Sequence, residues 1–222
     1  MTQSGEQAAD WQRQLASGLD AMRIALDRAQ QLALVGYLQR LTKWNRRYNL
    51  TAVRDPKALV ARHVPDSISI LPWVDSGPVL DVGTGAGLPG LPIAIVRPDL
   101  SLTLLDSNAK KLRFVRQAAT ELGLDNLDVV QQRMEQYRPA QSFDMVISRA
   151  VASIGAMYRD TAHLVRPGGR FLCMKGARPD AENAAFEPPG QLHVEALKVP
   201  GLDAERHLVW FEKQQQSGSM QL

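Results

Sequence analysis

From residue 79 onward, short β-rich apolar runs alternate with stretches of helical periodicity, and few folds accommodate that alternation. The runs are VLDV (79–82), LTLLD (102–106), LDVVQ (127–131), FDMVIS (143–148) and RFLCMK (170–175), with helical segments at 89–96, 108–122 and 153–165. Nearly continuous apolar runs are what parallel strands look like when helices cover both faces of their sheet. A doubly wound α/β sheet is therefore expected. Two further β-like stretches, 193–199 and 207–211, have no helical segment between them and predict a closing hairpin. Its last strand runs antiparallel to the others, which makes seven strands in a mostly parallel sheet.

The chain before residue 79 reads differently. Trp11, Leu15, Leu19, Met22 and Leu26 recur at helical spacing, and Leu34, Leu38 and Leu41 resume the pattern after a polar break at 27–31. Pro65, Pro72 and the Gly77-Pro78 pair predict where the helices stop. At 222 residues the chain is one domain with an appendage or two small ones. The expected division is a helical region (1–72), a sheet domain (73–213) and a frayed tail (214–222). Lys and Arg number 26 against 23 Asp and Glu, and the net charge of +3 decides no partner by itself. Cys173 is the single thiol. It can form no intramolecular disulfide and cannot hold zinc alone, so a secreted disulfide scaffold and a Cys-rich metal site are both excluded. The first ten residues carry two acids and no apolar core, and no apolar run approaches a spanning length. A cytoplasmic, monomeric protein with no metal and no membrane contact is the expectation.

The segment VLDVGTGAGLPG sets Asp81, Gly83, Gly85 and Gly87 at the end of the first strand, ahead of the first crossover helix. Glycines there let a backbone approach a ligand at the carboxyl edge of the sheet. Three features favour S-adenosylmethionine over a dinucleotide. Asp81 would repel a pyrophosphate but attract an ammonium or sulfonium. No GK[ST] follows the glycines. Asp106, ending the second strand, is placed to accept hydrogen bonds from both ribose hydroxyls or to cap the following helix, and the two roles are compatible. The competing reading of the glycines is a tight strand-to-helix turn with no ligand.

Residues 37–63 hold seven cations against one acid, a local charge of +6. Arg40, Lys43, Arg46, Arg47 and Arg62 are interleaved with Tyr37, Trp44 and Tyr48. Cations for phosphates and aromatic faces for unpaired bases are the two ingredients of RNA binding. A second cluster, Lys110, Lys111, Arg113 and Arg116, reads equally well as an exposed helix surface.

The motifs KWNRRYNLTAVRDP (43–56), RHVPDS (62–67), DVGTGAGLPG (81–90), TLLDS (103–107), RME (133–135), ISRA (147–150) and LDAERHLV (202–209) occur in this order. Together they resemble the bacterial small-subunit ribosomal RNA guanine-N7 methyltransferases, also called glucose-inhibited division protein B. The resemblance implies a class I methyltransferase fold and transfer of methyl from S-adenosylmethionine to N7 of a guanine in 16S ribosomal RNA, leaving S-adenosylhomocysteine. It implies cofactor contacts at Gly83 and Leu88, at Met134 and Glu135, and at Arg149. Met134 departs from the small or branched residue common there, which leaves a backbone contact.

Guanine N7 has an in-plane lone pair, so it can attack a sulfonium methyl without losing a proton. No general base is required, and the work is positioning. The SRA after the fourth strand, in place of an Asn/Asp-Pro-Pro-aromatic signature, and Cys173 in mid-strand agree with that chemistry. Arg149 could hold the methionine carboxylate or an RNA phosphate. Asn45, Arg62, His63, Asp66 and Lys175 are further candidates for guanine and phosphate contacts. His163, His193 and His207 read as structural. Competing functions are an S-adenosylmethionine-binding regulatory module without turnover and a small-molecule methyltransferase, the latter disfavoured by the +6 segment.

Overall fold

The computed structural model describes residues 3–75, 77–149, 153–180 and 186–214. The expected frayed tail lies outside them, except for Gln214. Three helices come first: α1 (Gln3–Met22), α2 (Arg28–Tyr48) and α3 (Pro56–Ile68). The helices break as expected, but a few residues earlier, between Met22 and Arg28, so that the polar residues 28–31 already belong to α2. Asp27 is its N-cap and accepts the Gln30 N–H at 2.7 Å, while the Gln30 side chain accepts the Asp27 N–H at 3.1 Å. Pro65 does not stop α3, which runs one turn past it. The ring sits 3.6 Å from where a Cβ on Gly18 of α1 would be, so packing of α3 on α1 outweighs the lost backbone bond.

The sheet contains β1 (Val79–Val82), β2 (Leu102–Asp106), β3 (Leu127–Gln131), β4 (Phe143–Arg149), β5 (Val165–Lys175), β6 (His193–Ala196) and β7 (His207–Glu212). Their order is β3-β2-β1-β4-β5-β7-β6, with β7 antiparallel to both its neighbours and the rest parallel. The helices α4 (Gly90–Val96), α5 (Ala109–Leu122) and α6 (Ile154–Thr161) make up the crossovers. Strand β5 begins five residues before the expected RFLCMK run, through the polar RPGG stretch.

Alternate residues of the strands face two apolar clusters. One is shared by Val79, Leu102, Leu104, Ile147 and Leu172 with Trp11, Leu15, Leu34, Leu38, Val64, Phe114 and Val115. The N-terminal helices and the sheet thus bury a common core on the face of α4 and α5. The second cluster sets Leu80, Val82, Val146, Phe171 and Phe211 against Ile154 and Met157 of α6. Strand order reverses between β1 and β4, and ligands of open α/β sheets bind outside the carboxyl ends of strands at such a switch point.

Gly90 opens α4 directly against β1 and β2. A Cβ there would lie 2.7 Å from Asp81 Oδ2 and 2.9 Å from Leu104 Cγ. Gly123, at φ +67°, would meet nothing within 4 Å. Gly90→Ala should therefore cost about 1–3 kcal/mol through overpacking, and Gly123→Ala about 1–2 kcal/mol through the left-handed backbone alone. Urea unfolding of both variants measures the difference.

Candidate active site

The loop after β1 is held from three sides. Gly83 and Thr84 donate their N–H groups to Leu105 O at 2.8 and 3.1 Å. The fully buried Tyr37 of α2 donates its hydroxyl to Ala86 O at 2.9 Å. Asp81 Oδ2 accepts the Thr84 hydroxyl at 2.6 Å and the Gly90 N–H at 2.9 Å. Gly83, Gly85 and Gly87 all have positive φ. At Gly87 the need is packing, since a Cβ would come within 2.4 Å of Leu91 Cδ1. Gly85 is different: its nearest would-be neighbours, Gly83 O and Lys111 Nζ, are 3.8 Å off, so the loop is open on that side. Leu88 is buried and closes the turn, its N–H donating to Thr84 O at 2.8 Å.

Asp81 lies within β1, just before the glycines. It is fully buried, and its Oδ1 has no hydrogen-bond partner among the described residues. Burial pushes its carboxyl up to about 7, against the pull of Thr84, Gly90 and Arg149. Asp106 accepts the Gly85 N–H at 2.9 Å through Oδ2 and the Asn108 N–H at 2.7 Å through Oδ1. The cap of α5 is Asn108 rather than Asp106. Gly83, Asp106, Met134 and Glu135 line one small cleft between the ends of β1, β2 and β3. A carboxylate with spare lone pairs, an open glycine face and an unpartnered buried acceptor suit a polar, partly cationic ligand. The residues present fit S-adenosylmethionine.

A larger pocket of about 440 Å³ lies beside it, lined among others by Thr51, Arg62, His63, Asp66, Arg149, Lys175 and Arg206. Asp66, buried on α3, accepts from Arg149 Nη1 at 3.0 Å through Oδ2 and from Arg206 Nε at 2.9 Å through Oδ1. Arg149 also donates to Arg62 O at 3.0 Å. His63 is buried, with Nε2 3.1 Å from Thr51 Oγ1 and Nδ1 3.0 Å from Arg62 O. Burial first, then Arg149, lowers its pKa to about 3, so the ring is neutral. Four cations with one carboxylate and a neutral imidazole leave the pocket electropositive.

Five of the expected residues thus converge: Arg62, His63, Asp66, Arg149 and Lys175. Asn45 does not line the pocket. It is buried, and its Oδ1 accepts the Thr51 N–H at 2.9 Å, which shapes the turn that carries Thr51. Arg206 and Thr51 were not singled out from sequence, although both lie inside quoted motifs. The antiparallel β7 begins where β5 ends, with His207 beside Lys175. A residue just before that strand had to reach the ligand edge, and this signal could have found Arg206. Of the α2 residues, Arg40 is committed to Glu121 at 2.6 Å, whereas Lys43, Arg46 and Arg47 are exposed. Tyr37 offers no stacking face because it is in the core, and Trp44 packs on Phe114; Tyr48 alone of the three is exposed. Cys173 is buried in β5.

The switch-point cleft and the fold define a class I, Rossmann-like S-adenosylmethionine-dependent methyltransferase. The N-methyltransferase NodS of Bradyrhizobium japonicum, solved with S-adenosyl-L-homocysteine, has the same fold: TM-score 0.53, 15% identity, covering 85% of this chain and 100% of that one. Residues 30–209 match the family described as rRNA small subunit methyltransferase G, or GidB, and the chain belongs to that family. It is 48% identical over 198 residues to the ribosomal RNA small subunit methyltransferase G of Alkalilimnicola ehrlichii, covering 88% of this chain and 89% of the relative. Identity to the protein of the same name in Laribacter hongkongensis is 49% over 197 residues, 88% and 95% of the two chains.

The unfolded chain protonates His63 near 6.5 and the folded protein only near 3, so the unfolded state binds more protons in between. The wild type should therefore lose stability, relative to a His63→Gln variant, as pH falls from 6.5 toward 3. Urea unfolding of both proteins at pH 7 and pH 5 gives the comparison.

Proposed function

We propose that this protein methylates N7 of a guanine in 16S ribosomal RNA, using S-adenosylmethionine held by the loop after β1. The observation that carries the reading is the electropositive pocket beside that loop, whose only imidazole is neutral with both ring nitrogens engaged. That environment suits a nucleophile that needs no deprotonation. Gly83, Gly85, Gly87 and Leu88 would shape the bed of the cofactor, Asp106 would take its ribose hydroxyls, and Met134 and Glu135 would border its adenine. Bound there, the cofactor supplies an electrophilic methyl on sulfur.

The chain's own residues then position the acceptor. Arg62, Lys175 and Arg206 attract phosphate, and Thr51 and Asp66 offer polar edges for a guanine. Arg149 keeps further N–H groups beyond the two given to Asp66 and Arg62 O, so it can serve a phosphate or the methionine carboxylate. Lys43, Arg46 and Arg47 on the N-terminal portion, residues 1–72, grip the RNA, while residues 73–213 carry out the transfer. No helix among the described residues is long and apolar enough to cross a membrane, and we place the enzyme in the cytoplasm as a monomer acting on the small ribosomal subunit or its RNA.

Purified protein given labelled S-adenosylmethionine and small subunits from cells lacking the modification should label a single guanine. The labelled site should become a strand break after borohydride and aniline. Label on protein, on small molecules or on an exocyclic amine would refute the reading. Arg149→Ala should lower kcat/KM at least tenfold in the same assay.

A cationic ligand near Asp81 should bring its carboxyl down from about 7. Cofactor binding at pH 6.5–7 should therefore release protons, seen as a calorimetric enthalpy that varies with the ionisation heat of the buffer. An Asp81→Asn variant that still binds should show no such variation.

A further inference from the structure

The basic cluster of α5 plays no part in the pocket, yet the packing of α2 on α5 gives it a neighbour. Arg40 of α2 pairs with Glu121 of α5, and Trp44 meets Phe114 with ring centroids 5.7 Å apart. Residue numbers rise along one helix as they fall along the other, so the helices are antiparallel. The end of α2, with Arg46, Arg47 and Tyr48, therefore lies level with the first turns of α5, with Lys110, Lys111 and Arg113.

Three properties of this surface call for a ligand. First, the side chains of Lys110, Lys111 and Arg113 have no hydrogen bond or ion pair among the described residues; Lys110 and Lys111 use only their backbone N–H groups, on the Asn108 cap. Cations in a first helical turn also oppose the helix dipole, so nothing within α5 favours them. Second, the aromatic row from Phe114 through Trp44 ends in the exposed Tyr48, 5.0 Å from Trp44, with the Arg47 guanidinium 5.7 Å over its ring. Third, Lys111 Nζ lies 3.8 Å from a Cβ position on Gly85, so the surface reaches the mouth of the cofactor cleft. Nearby acids are already engaged, Glu121 by Arg40 and Asp106 by backbone N–H groups.

We propose that the adjoining ends of α2 and α5 form a second docking surface for the RNA, taking the phosphodiester backbone on Lys110, Lys111 and Arg113. Tyr48 is its stacking platform for an unpaired base flanking the methylated guanine. This assignment rests on the RNA-methylation reading above. Free cations spaced along a helix match a phosphate chain, and the exposed ring of Tyr48, backed by Trp44, offers a stacking surface for a splayed base.

The experiment compares wild type, Lys110→Ala/Lys111→Ala/Arg113→Ala, the charge reversal Lys110→Glu/Arg113→Glu confined to exposed positions, Tyr48→Ala and Tyr48→Phe. Each is assayed for small-subunit RNA affinity against salt, for S-adenosylhomocysteine affinity by calorimetry, and for methyl transfer. The triple variant should lose about 2 units of the log–log salt slope, at roughly 0.7 per single-strand phosphate contact. Its cofactor affinity should equal that of the wild type. Tyr48→Ala should weaken RNA binding at least fivefold without changing the slope, and Tyr48→Phe should restore it. An unchanged slope in both charge variants, with wild-type transfer intact, overturns the surface alone. Lost cofactor affinity with unchanged RNA binding also overturns it, assigning Lys111 to the cofactor cleft. Failure of the wild type itself to methylate RNA overturns the underlying reading.

Discussion

The carboxylate of Asp66 joins three parts of the chain that sequence keeps far apart. It sits on α3, in the helical N-terminal portion, and accepts from Arg149 at the end of β4 and Arg206 ahead of β7. Taking a carboxylate out of water is expensive, and only close partners offset that cost. Here both oxygens are engaged within 3.0 Å while each arginine keeps about a fifth of its side chain exposed. The arrangement resolves a conflict: two guanidiniums near one another repel, and the buried acid between them permits both to face one pocket. Without it the electropositive wall would not hold its shape.

The same dependence on the N-terminal helices appears at the glycine loop. Tyr37 of α2 holds Ala86 O, and the apolar residues of α1 to α3 enter the cluster that backs β1 and β2. Trp11 and Leu15 belong to that cluster although the family match begins only at residue 30. The helices are thus one wall of the binding edge, and a change in their packing is felt at the loop through Tyr37 and at the pocket through Asp66.

Much of this could be read from residue order. Strands β1, β2 and β3 have the expected limits: β1 and β2 are compact apolar runs, the first closed by Gly83 and the second by Asp106, and β3 keeps its limits although it is only partly buried at the edge of the sheet. Parallel strands end on one edge of their sheet, so Gly83, Asp106, Glu135 and Arg149, at or just after the ends of β1 to β4, come to that edge as expected. What remained hidden depends on contacts between distant segments. Asp81 reads from sequence as an acid at the glycine loop, and its burial there depends on Thr84 and Gly90, which hold it under the loop. Asn45 looked like a guanine contact, but the turn to Thr51 consumes its oxygen. Tyr37 and Trp44 looked like stacking faces, yet a helix side that packs on α5 and the sheet must bury its large rings. Pro65 would end an isolated helix; in α3 the packing on Gly18 decides otherwise.

The electrostatics of the two clefts are complementary, and this bears on the chemistry. The small cleft holds two acids, Asp106 and Glu135, against one cation, Arg133, and Asp81, with an unpartnered oxygen, lies beneath the loop beside it. The larger pocket is built from arginines, a lysine and an imidazole that burial keeps neutral. On the proposed reading, this division would draw a cationic methyl donor to one side and a polyanionic acceptor to the side that Arg149 lines. Such a division needs no proton to move within the pocket at neutral pH. Because His63 stays neutral down to about pH 3, its hydrogen bonds to Thr51 and Arg62 persist across the physiological range and fix the pocket's shape. What the fold contributes is an arrangement in which charge brings two partners to one edge and holds them there, the form of catalysis expected where the nucleophile is already a free lone pair.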